Sequence, residues 1–573
     1  MVDHQAEVPP SSSQQLDQAA RAAWARRWMS VSPHSQLLAW TDWVCNLAIS
    51  PGKRSELARL ALEEWAQLYY AALQPPGSQT HPIPDRRFKD PAWQQWPFNL
   101  MSQAFLAQQH WWQTATLGVP GVEKHHERLA AFWAKQWLDM LSPGNYLATN
   151  PVVLERTARE GGLNLVRGFQ YLMDDVHALL THRPPQGVEQ FRPGREVAAT
   201  PGKVVLRNRL MELIQYAPTT DKVHPEPILI VPAWIMKYYI LDLSPHNSLI
   251  KYLVDQGHTV FCISWKNPGA AERDLGMDEY IDLGWRAALD AVAAIVPGRK
   301  VHATGYCLGG TLLAIAAAAM ARDGDERLAS LSLFAAQTDF TEPGELALFI
   351  DESQISLLEA QMTQKGYLRA DQMAGAFQML RSYDLLWSRL VNQYLLGERA
   401  PVNDLMAWNA DATRMPARMH AQYLRRLFLN NDLSENRYPV DGRAVSLSKL
   451  RAPIFCVGTV TDHIAPWQSV FKLHHQTSAE ISFLLTSGGH NAGILSEPGH
   501  PRRSYQLLTR PANGPDISVQ QWLERAAWHD GSWWPAWLAW LKARSGPALA
   551  PPRLGGKHGK PLEDAPGRYV LEH

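Results

Sequence analysis

Between Lys300 and Met320 the chain reads first as a strand and then as a helix, with a glycine-flanked cysteine at the join. Lys300-Val301-His302-Ala303-Thr304 is strand-like, and Thr311–Met320 is a run of alanine and leucine that favours helix. The join is Gly305-Tyr306-Cys307-Leu308-Gly309-Gly310. A reactive side chain on so sharp a turn needs small residues two before and two after it, so that strand and helix can pass closely. The new helix also points its free N–H groups at the turn, where they favour a thiolate and a developing oxyanion. A cysteine between glycines is by itself a weak signal, because a buried cysteine at a strand end looks the same. The flanking strand and helix favour a nucleophile elbow.

Composition limits what surrounds the elbow. At 573 residues the chain exceeds one ordinary domain, and 46% apolar residues suffice for large cores. Lysine plus arginine balance aspartate plus glutamate at 55 each, which argues against a nucleic-acid partner. Cys45, Cys262, Cys307 and Cys456 lie far apart with no CxxC, so neither a disulfide framework nor a zinc ribbon is expected. His125-His126 and His474-His475 lack metal-ligand spacing and are expected in solvent, so no metal site is predicted. The opening residues are polar, without the apolar core of a signal peptide, and no apolar run reaches the ~20 residues that cross a bilayer. A soluble, cytoplasmic chain is therefore expected. The 23 tryptophans imply large aromatic surfaces, in the core or facing something greasy.

Residues 1–14 read as a disordered tail, and 15–200 as an all-helical N-terminal domain with a linker. Helices are expected through 55–65 up to a stop at Pro75-Pro76-Gly77, and over 96–117, 122–141 and 151–180. Residues 181–202 carry Pro184, Pro185, Pro193 and Pro201 and form the linker. The rhythm then changes to short apolar runs at 204–206, 211–216, 228–231, 259–264, 300–304, 328–335, 454–458 and 481–485, with helical stretches between the later ones. This predicts a mostly parallel α/β sheet over 201–545. An insertion over about 340–450 reads as a helical cap. The stretch 481–485 is the last strand expected, 519–543 is read as helical and rich in tryptophan, and 546–573 as a C-terminal tail.

On an α/β-hydrolase sheet an acid and a base follow the nucleophile in that order, each on a loop after a late strand. Asp462 follows the run 454–458, and His490 follows 481–485 among Gly488, Gly489 and Gly493. The assignment is Cys307 as nucleophile, His490 as base and Asp462 as the group that orients it, with His463 as a competitor better suited to a supporting role. One oxyanion donor is expected from the Leu308 N–H, and the other from the loop holding Ala233, Trp234 and Ile235. A thiol that attacks a thioester exchanges one thioester for another and keeps the acyl group activated. The cysteine elbow therefore points to acyl transfer from a thioester such as an acyl-CoA. A Cys-dependent thioesterase or ester hydrolase of the same fold is the alternative, and a non-catalytic scaffold derived from such an enzyme is a third reading.

Longer motifs go further. They include Asp85-Arg86-Arg87-Phe88-Lys89-Asp90-Pro91-Ala92-Trp93, Thr149-Asn150-Pro151, Lys237-Tyr238-Tyr239-Ile240-Leu241-Asp242-Leu243, Ser264-Trp265-Lys266-Asn267-Pro268, Trp408-Asn409-Ala410-Asp411-Ala412-Thr413 and Gly531-Ser532-Trp533-Trp534-Pro535. With the elbow and Asp462-His463-Ile464-Ala465-Pro466-Trp467, they span nearly the whole chain. Together they resemble the polyhydroxyalkanoate synthases (poly-3-hydroxybutyrate polymerases), most closely the single-chain class that uses short-chain monomers. The resemblance implies the triad Cys307, Asp462 and His490, (R)-3-hydroxyacyl-CoA as substrate, and free CoA and a growing polyester as products. It implies no cofactor beyond the CoA carried by the substrate, a homodimer, and association with granule-bound proteins at the surface of intracellular polyester granules. The chain departs from the pattern at Met236, where the family often has Asn, and at Asn491, where Gly-His-Ile is common.

Overall fold

The computed structural model describes residues 13, 16, 17, 19–21, 23, 31–74, 85–181, 183–380, 382, 386–557 and 559–573. The expected tail over 1–14, apart from residue 13, and the expected stop at Pro75-Pro76-Gly77 lie outside the described residues. Two compact units form, one from Val31–Gly187 with Ala374–Val402, the other built on Val188–Met373 and Asn403–His573.

The first unit is helical: α1 Pro33–Ala48, α2 Pro51–Leu73, α3 Phe98–Thr116, α4 Lys124–Met140, α5 Pro151–Arg159 and α6 Leu163–Leu180. Its motifs are structural parts. The side chain of Asn150 caps α5 by accepting from the N–H groups of Val152 and Val153, and Pro151 fills the first helical position, where no N–H is needed. Arg87 donates to Asp85 at 2.7 and 2.9 Å and to Asp139 at 2.9 Å, beside the packed rings of Phe88 and Trp93. The single helix expected over 151–180 is two helices. Gly161 and Gly162 both take positive φ and turn the chain between them.

Part of the expected cap insertion belongs to this helical unit. Asn164 on α6 donates to the Leu395 carbonyl at 2.8 Å, and Asp175 accepts from Gln393, Tyr394 and Arg399. A side chain at Gly168 would collide with the Tyr394 carbonyl, so a glycine is what admits the 374–402 segment to α6.

The second unit is built on one eleven-stranded sheet. Its strands are β1 Gly202–Arg207, β2 Met211–Tyr216, β3 Ile228–Val231, β4 Val260–Trp265, β5 Val301–Tyr306, β6 Leu328–Phe334, β7 Ile454–Thr459, β8 Ile481–Thr486, β9 Ser504–Arg510, β10 Ala527–Asp530 and β11 Glu563–Asp564. Their order is β10-β9-β8-β7-β6-β5-β3-β4-β2-β1-β11. From β3 to β8 all neighbours pair in parallel, whereas β2 runs antiparallel to β4. This is the α/β-hydrolase order extended at both edges. Strands β3, β4, β5, β7 and β8 are buried along their whole length, which is why they read as short, largely apolar runs.

The structure corrects the C-terminal third. Ile481–Leu485 is not the last strand, because β9, β10 and β11 follow. The helical run expected over 519–543 is two helices, Val519–Arg525 and Trp534–Lys542, parted by the exposed β10. The stretch from Gly546 is not a loose tail. Its β11 pairs with β1, and the amides of Arg568 and Tyr569 donate to the buried Glu212 carboxylate. Core packing, one of the two readings of the tryptophans, holds for Trp522, Trp533, Trp534 and Trp537, and Trp537 donates its indole N–H to Ser332 on β6. His474 is buried and stacked on Phe471 rather than solvated, and His126 is half-buried against Asp42 at 2.8 Å. Among the described residues, no helix is long and apolar enough to cross a membrane.

Candidate active site

The order of the sheet reverses at β3, whose neighbours are β4 and β5, and a crevice opens beyond the C-terminal ends of such strands. Every candidate residue lies there. Cys307 follows β5 and caps helix α7 Leu308–Asp323 with φ 53° and ψ −127°, a strained conformation for a residue with a side chain. The glycines enforce it. A Cβ on Gly305 would stand 2.4 Å from the Gly310 Cα, and one on Gly309 would stand 2.1 Å from the Val231 carbonyl oxygen. Helix α7 therefore presses directly against the end of β3. The Leu308 N–H is the first amide of α7, one of the four that helix geometry leaves without an intrahelical acceptor.

The loop after β3 is held by a set of long-range hydrogen bonds. The Trp265 indole donates to the Pro232 carbonyl at 2.8 Å, and the Thr413 hydroxyl donates to the Trp234 carbonyl at 2.7 Å. The Thr413 N–H reaches the Ile235 carbonyl at 3.3 Å, Met236 bridges to Ala412, and the Trp408 indole donates to the Lys237 carbonyl at 2.8 Å. Lys237 is itself buried and donates to the carbonyls of Tyr569 and Glu572. The expected loop Ala233-Trp234-Ile235 is thus fixed through its carbonyls, beside Gly309. Sequence reading named the motifs around Trp265 and Trp408 but gave them no role. Nothing local signals a bond that spans 179 residues, as Thr413 to Trp234 does.

Asp462 and His490 meet as the spacing predicted. His490 Nδ1 lies 2.7 Å from Asp462 Oδ2. Asp462 also accepts from the Thr459 hydroxyl at 3.0 Å and from the N–H groups of Ile464 and Ala465, each at 2.9 Å. Burial alone would raise this carboxyl. The His490 charge and these hydrogen bonds more than offset it and hold Asp462 below its ordinary 3.8.

The Cys307 side chain is near enough to His490 for its charge to act on the imidazole. Burial pulls His490 down, but the charges of Cys307 and Asp462 and the hydrogen bond to Asp462 win, and push it up to about 10. His463 adjoins the acid in sequence, and its main-chain carbonyl accepts from the Glu345 N–H at 3.1 Å. The imidazole on Asp462 is that of His490. Two further residues flank the pair. Tyr306 lies with its ring centre 5.6 Å from that of His490, and its hydroxyl donates to Asn491 Oδ1 at 2.5 Å.

A sheet of this order, with a strained cysteine elbow after β5 and an Asp–His pair after β7 and β8, defines an α/β-hydrolase-fold protein with a cysteine at the elbow. Comparison with known proteins agrees and narrows the class. Residues 226–496 match the alpha/beta hydrolase fold, residues 84–253 the N-terminus of poly-beta-hydroxybutyrate polymerase (PhaC), and residues 11–53 a poly-beta-hydroxybutyrate polymerase N-terminal family. The poly(3-hydroxyalkanoate) polymerase of Methylorubrum extorquens is 42% identical over 505 residues, covering 86% of this chain and 82% of its own. The polymerase subunit PhaC of Rhizobium etli is 40% identical over 508 residues, covering 87% and 79%. That of Cupriavidus necator is 34% identical over 567 residues, covering 97% and 95%. The chain belongs to the poly(3-hydroxyalkanoate) polymerase family.

Proposed function

We propose that this chain polymerises (R)-3-hydroxyacyl-CoA into a polyester with release of CoA, through a thioester on Cys307. The observation that carries the reading is the placement of Cys307 on a strained elbow, at the sheet end where Asp462 and His490 are paired, in a chain of this family.

His490 takes the Cys307 proton, and the thiolate attacks the thioester carbon of the substrate. The carbonyl oxygen gathers negative charge and is met by the Leu308 N–H and a second donor from the loop holding Ala233, Trp234 and Ile235. The C–S bond to CoA breaks. CoA leaves as a thiol carrying the proton from His490, and the acyl group stays on Cys307. Acylation removes the Cys307 charge that helps to keep His490 protonated, while burial still favours the neutral ring. His490 is then free to act as a base. It takes the proton from the 3-hydroxyl of the next monomer, whose oxygen attacks the Cys307 thioester. An ester bond forms and the Cys307 thiol is regenerated with the His490 proton. The chain, longer by one unit and still joined to CoA, returns to Cys307 by the first step.

Asp462 keeps its charge throughout, orients the imidazole through Nδ1 and stabilises its protonated form. In this reading no cofactor is needed beyond the CoA that substrate brings and product releases. The substrate is water-soluble and the polymer is not, so the chain works where that phase forms, as a homodimer at the surface of cytoplasmic polyester granules. The test gives the purified protein (R)-3-hydroxybutyryl-CoA and follows free thiol together with insoluble polyester. Thiol with soluble 3-hydroxybutyrate and no polymer would make it a thioesterase instead.

A further inference from the structure

Tyr306 and Asn491 stand immediately before Cys307 and immediately after His490 in sequence, and their side chains are hydrogen-bonded at 2.5 Å. Tyr306 is 2% exposed, and its ring lies 5.6 Å from the His490 ring at an interplanar angle of 34°. Burial, reinforced by the charges of Cys307 and Asp462, pushes the phenol well above its ordinary 10. It therefore stays protonated as a donor to the Asn491 side-chain oxygen.

The loop that carries His490 is also held by other bonds. The Gly493 N–H donates to the Gly489 carbonyl at 2.7 Å, and the indoles of Trp533 and Trp534 donate to the carbonyls of Gly493 and Ile494, each at 2.9 Å. Tyr306, the residue before Cys307, ties the elbow to this loop through its side chain. A ring bonded to Asp462 through Nδ1 alone can still pivot about that bond, and its other nitrogen would swing relative to Cys307. The Tyr306 ring limits the pivot, and the bond to Asn491 fixes the distance between elbow and loop.

We propose that Tyr306 and Asn491 are a positioning pair that sets the geometry of His490 toward Cys307. This inference rests on the reading of Cys307 as nucleophile and His490 as base. An apolar residue at position 491 would leave the buried Tyr306 hydroxyl without this acceptor.

The test uses the full chain with Tyr306→Phe, Asn491→Ile and both together. It reads kcat and KM for CoA release, the pH dependence of Cys307 alkylation by iodoacetamide, and the melting temperature. Each single variant should lose about tenfold in kcat while KM stays within about twofold. The rise of the alkylation rate should move to higher pH, because a displaced imidazole supports the thiolate less well. The double variant should be as slow as the singles, yet melt closer to the parent than Asn491→Ile, since no buried hydroxyl is left alone. Unchanged kcat and alkylation in all three variants would overturn the inference. Recovery of kcat in the double variant together with its stability would also overturn it, because the pair would then only support the fold. His490→Gln, made with Tyr306 and Asn491 intact, separates the two failures. If that variant kept parental turnover, the base assignment itself would fall and this inference with it.

Discussion

Val231 and Gly309 touch: a Cβ on Gly309 would lie 2.1 Å from the Val231 carbonyl oxygen, so the end of β3 and the first turn of the elbow helix are in backbone contact. This contact brings the loop after β3 to the amide of Leu308. The loop after β3 can lie this close to the elbow only because position 309 has no side chain.

Gly309→Ala should therefore damage both fold and chemistry. The added methyl cannot be met by a rotamer change, since the obstacle is main chain, and overpacking of this kind costs about 1–3 kcal/mol. Denaturant unfolding should show that loss. CoA release should fall by more than the loss of folded protein explains.

Thr413→Val tests the clamp on the same loop from its other side. It keeps the shape of Thr413 but removes the donor to the buried Trp234 carbonyl, an unsatisfied group worth about 1–3 kcal/mol. Unfolding measurements should register a loss in that range, and kcat should drop more than KM changes. A stability equal to the parent would mean that the bond is not a clamp.

The Asp462–His490 pair gives a pH signature. Asp462 is held below its ordinary 3.8, so its contribution to stability is in force above that value and is lost as pH falls through the depressed one. His490 is raised from 6.5 to about 10, so its contribution is in force below 6.5 and is lost as pH rises through about 10. Both act in full only between roughly pH 4 and 6.5. The melting-temperature difference between the parent and Asp462→Asn should be largest in that window and shrink on either side. A difference that does not vary with pH would contradict the assignment of these charges.

Asp462→Asn should also slow CoA release by on the order of 10⁴, as loss of the orienting acid does in a triad of this kind. Stopped assays across enzyme concentrations would measure the residual rate, and a loss below about tenfold would deny Asp462 its role.

Much of this was legible in the sequence because burial writes itself plainly. Strands β3, β4, β5, β7 and β8 lie between covered layers and spell largely apolar runs, and the Gly-x-Cys-x-Gly join announces a tight turn. The edge strands were not legible. Ser504–Arg510 is half-exposed and mixed in character, Ala527–Asp530 is exposed throughout, and Glu563–Asp564 is a strand only because β1 lies beside it. The break between α5 and α6 was readable in Gly161-Gly162, a left-handed turn inside an otherwise helical pattern. The meeting of Asp462 with His490 followed from their order along the chain. The supports of the site did not, because Trp265, Trp408 and Thr413 act on the loop after β3 from places that only the folded chain brings near.

The central claim is that Cys307 carries the growing acyl chain. The most direct measurement incubates the protein with radiolabelled (R)-3-hydroxybutyryl-CoA, quenches in acid, and locates the label by peptide mass spectrometry. The account predicts a hydroxylamine-sensitive acyl thioester on the peptide containing Cys307, with CoA released and polyester formed. It also predicts no label, CoA or polymer from Cys307→Ala. Polymer made by Cys307→Ala, or label on any other residue, would contradict it.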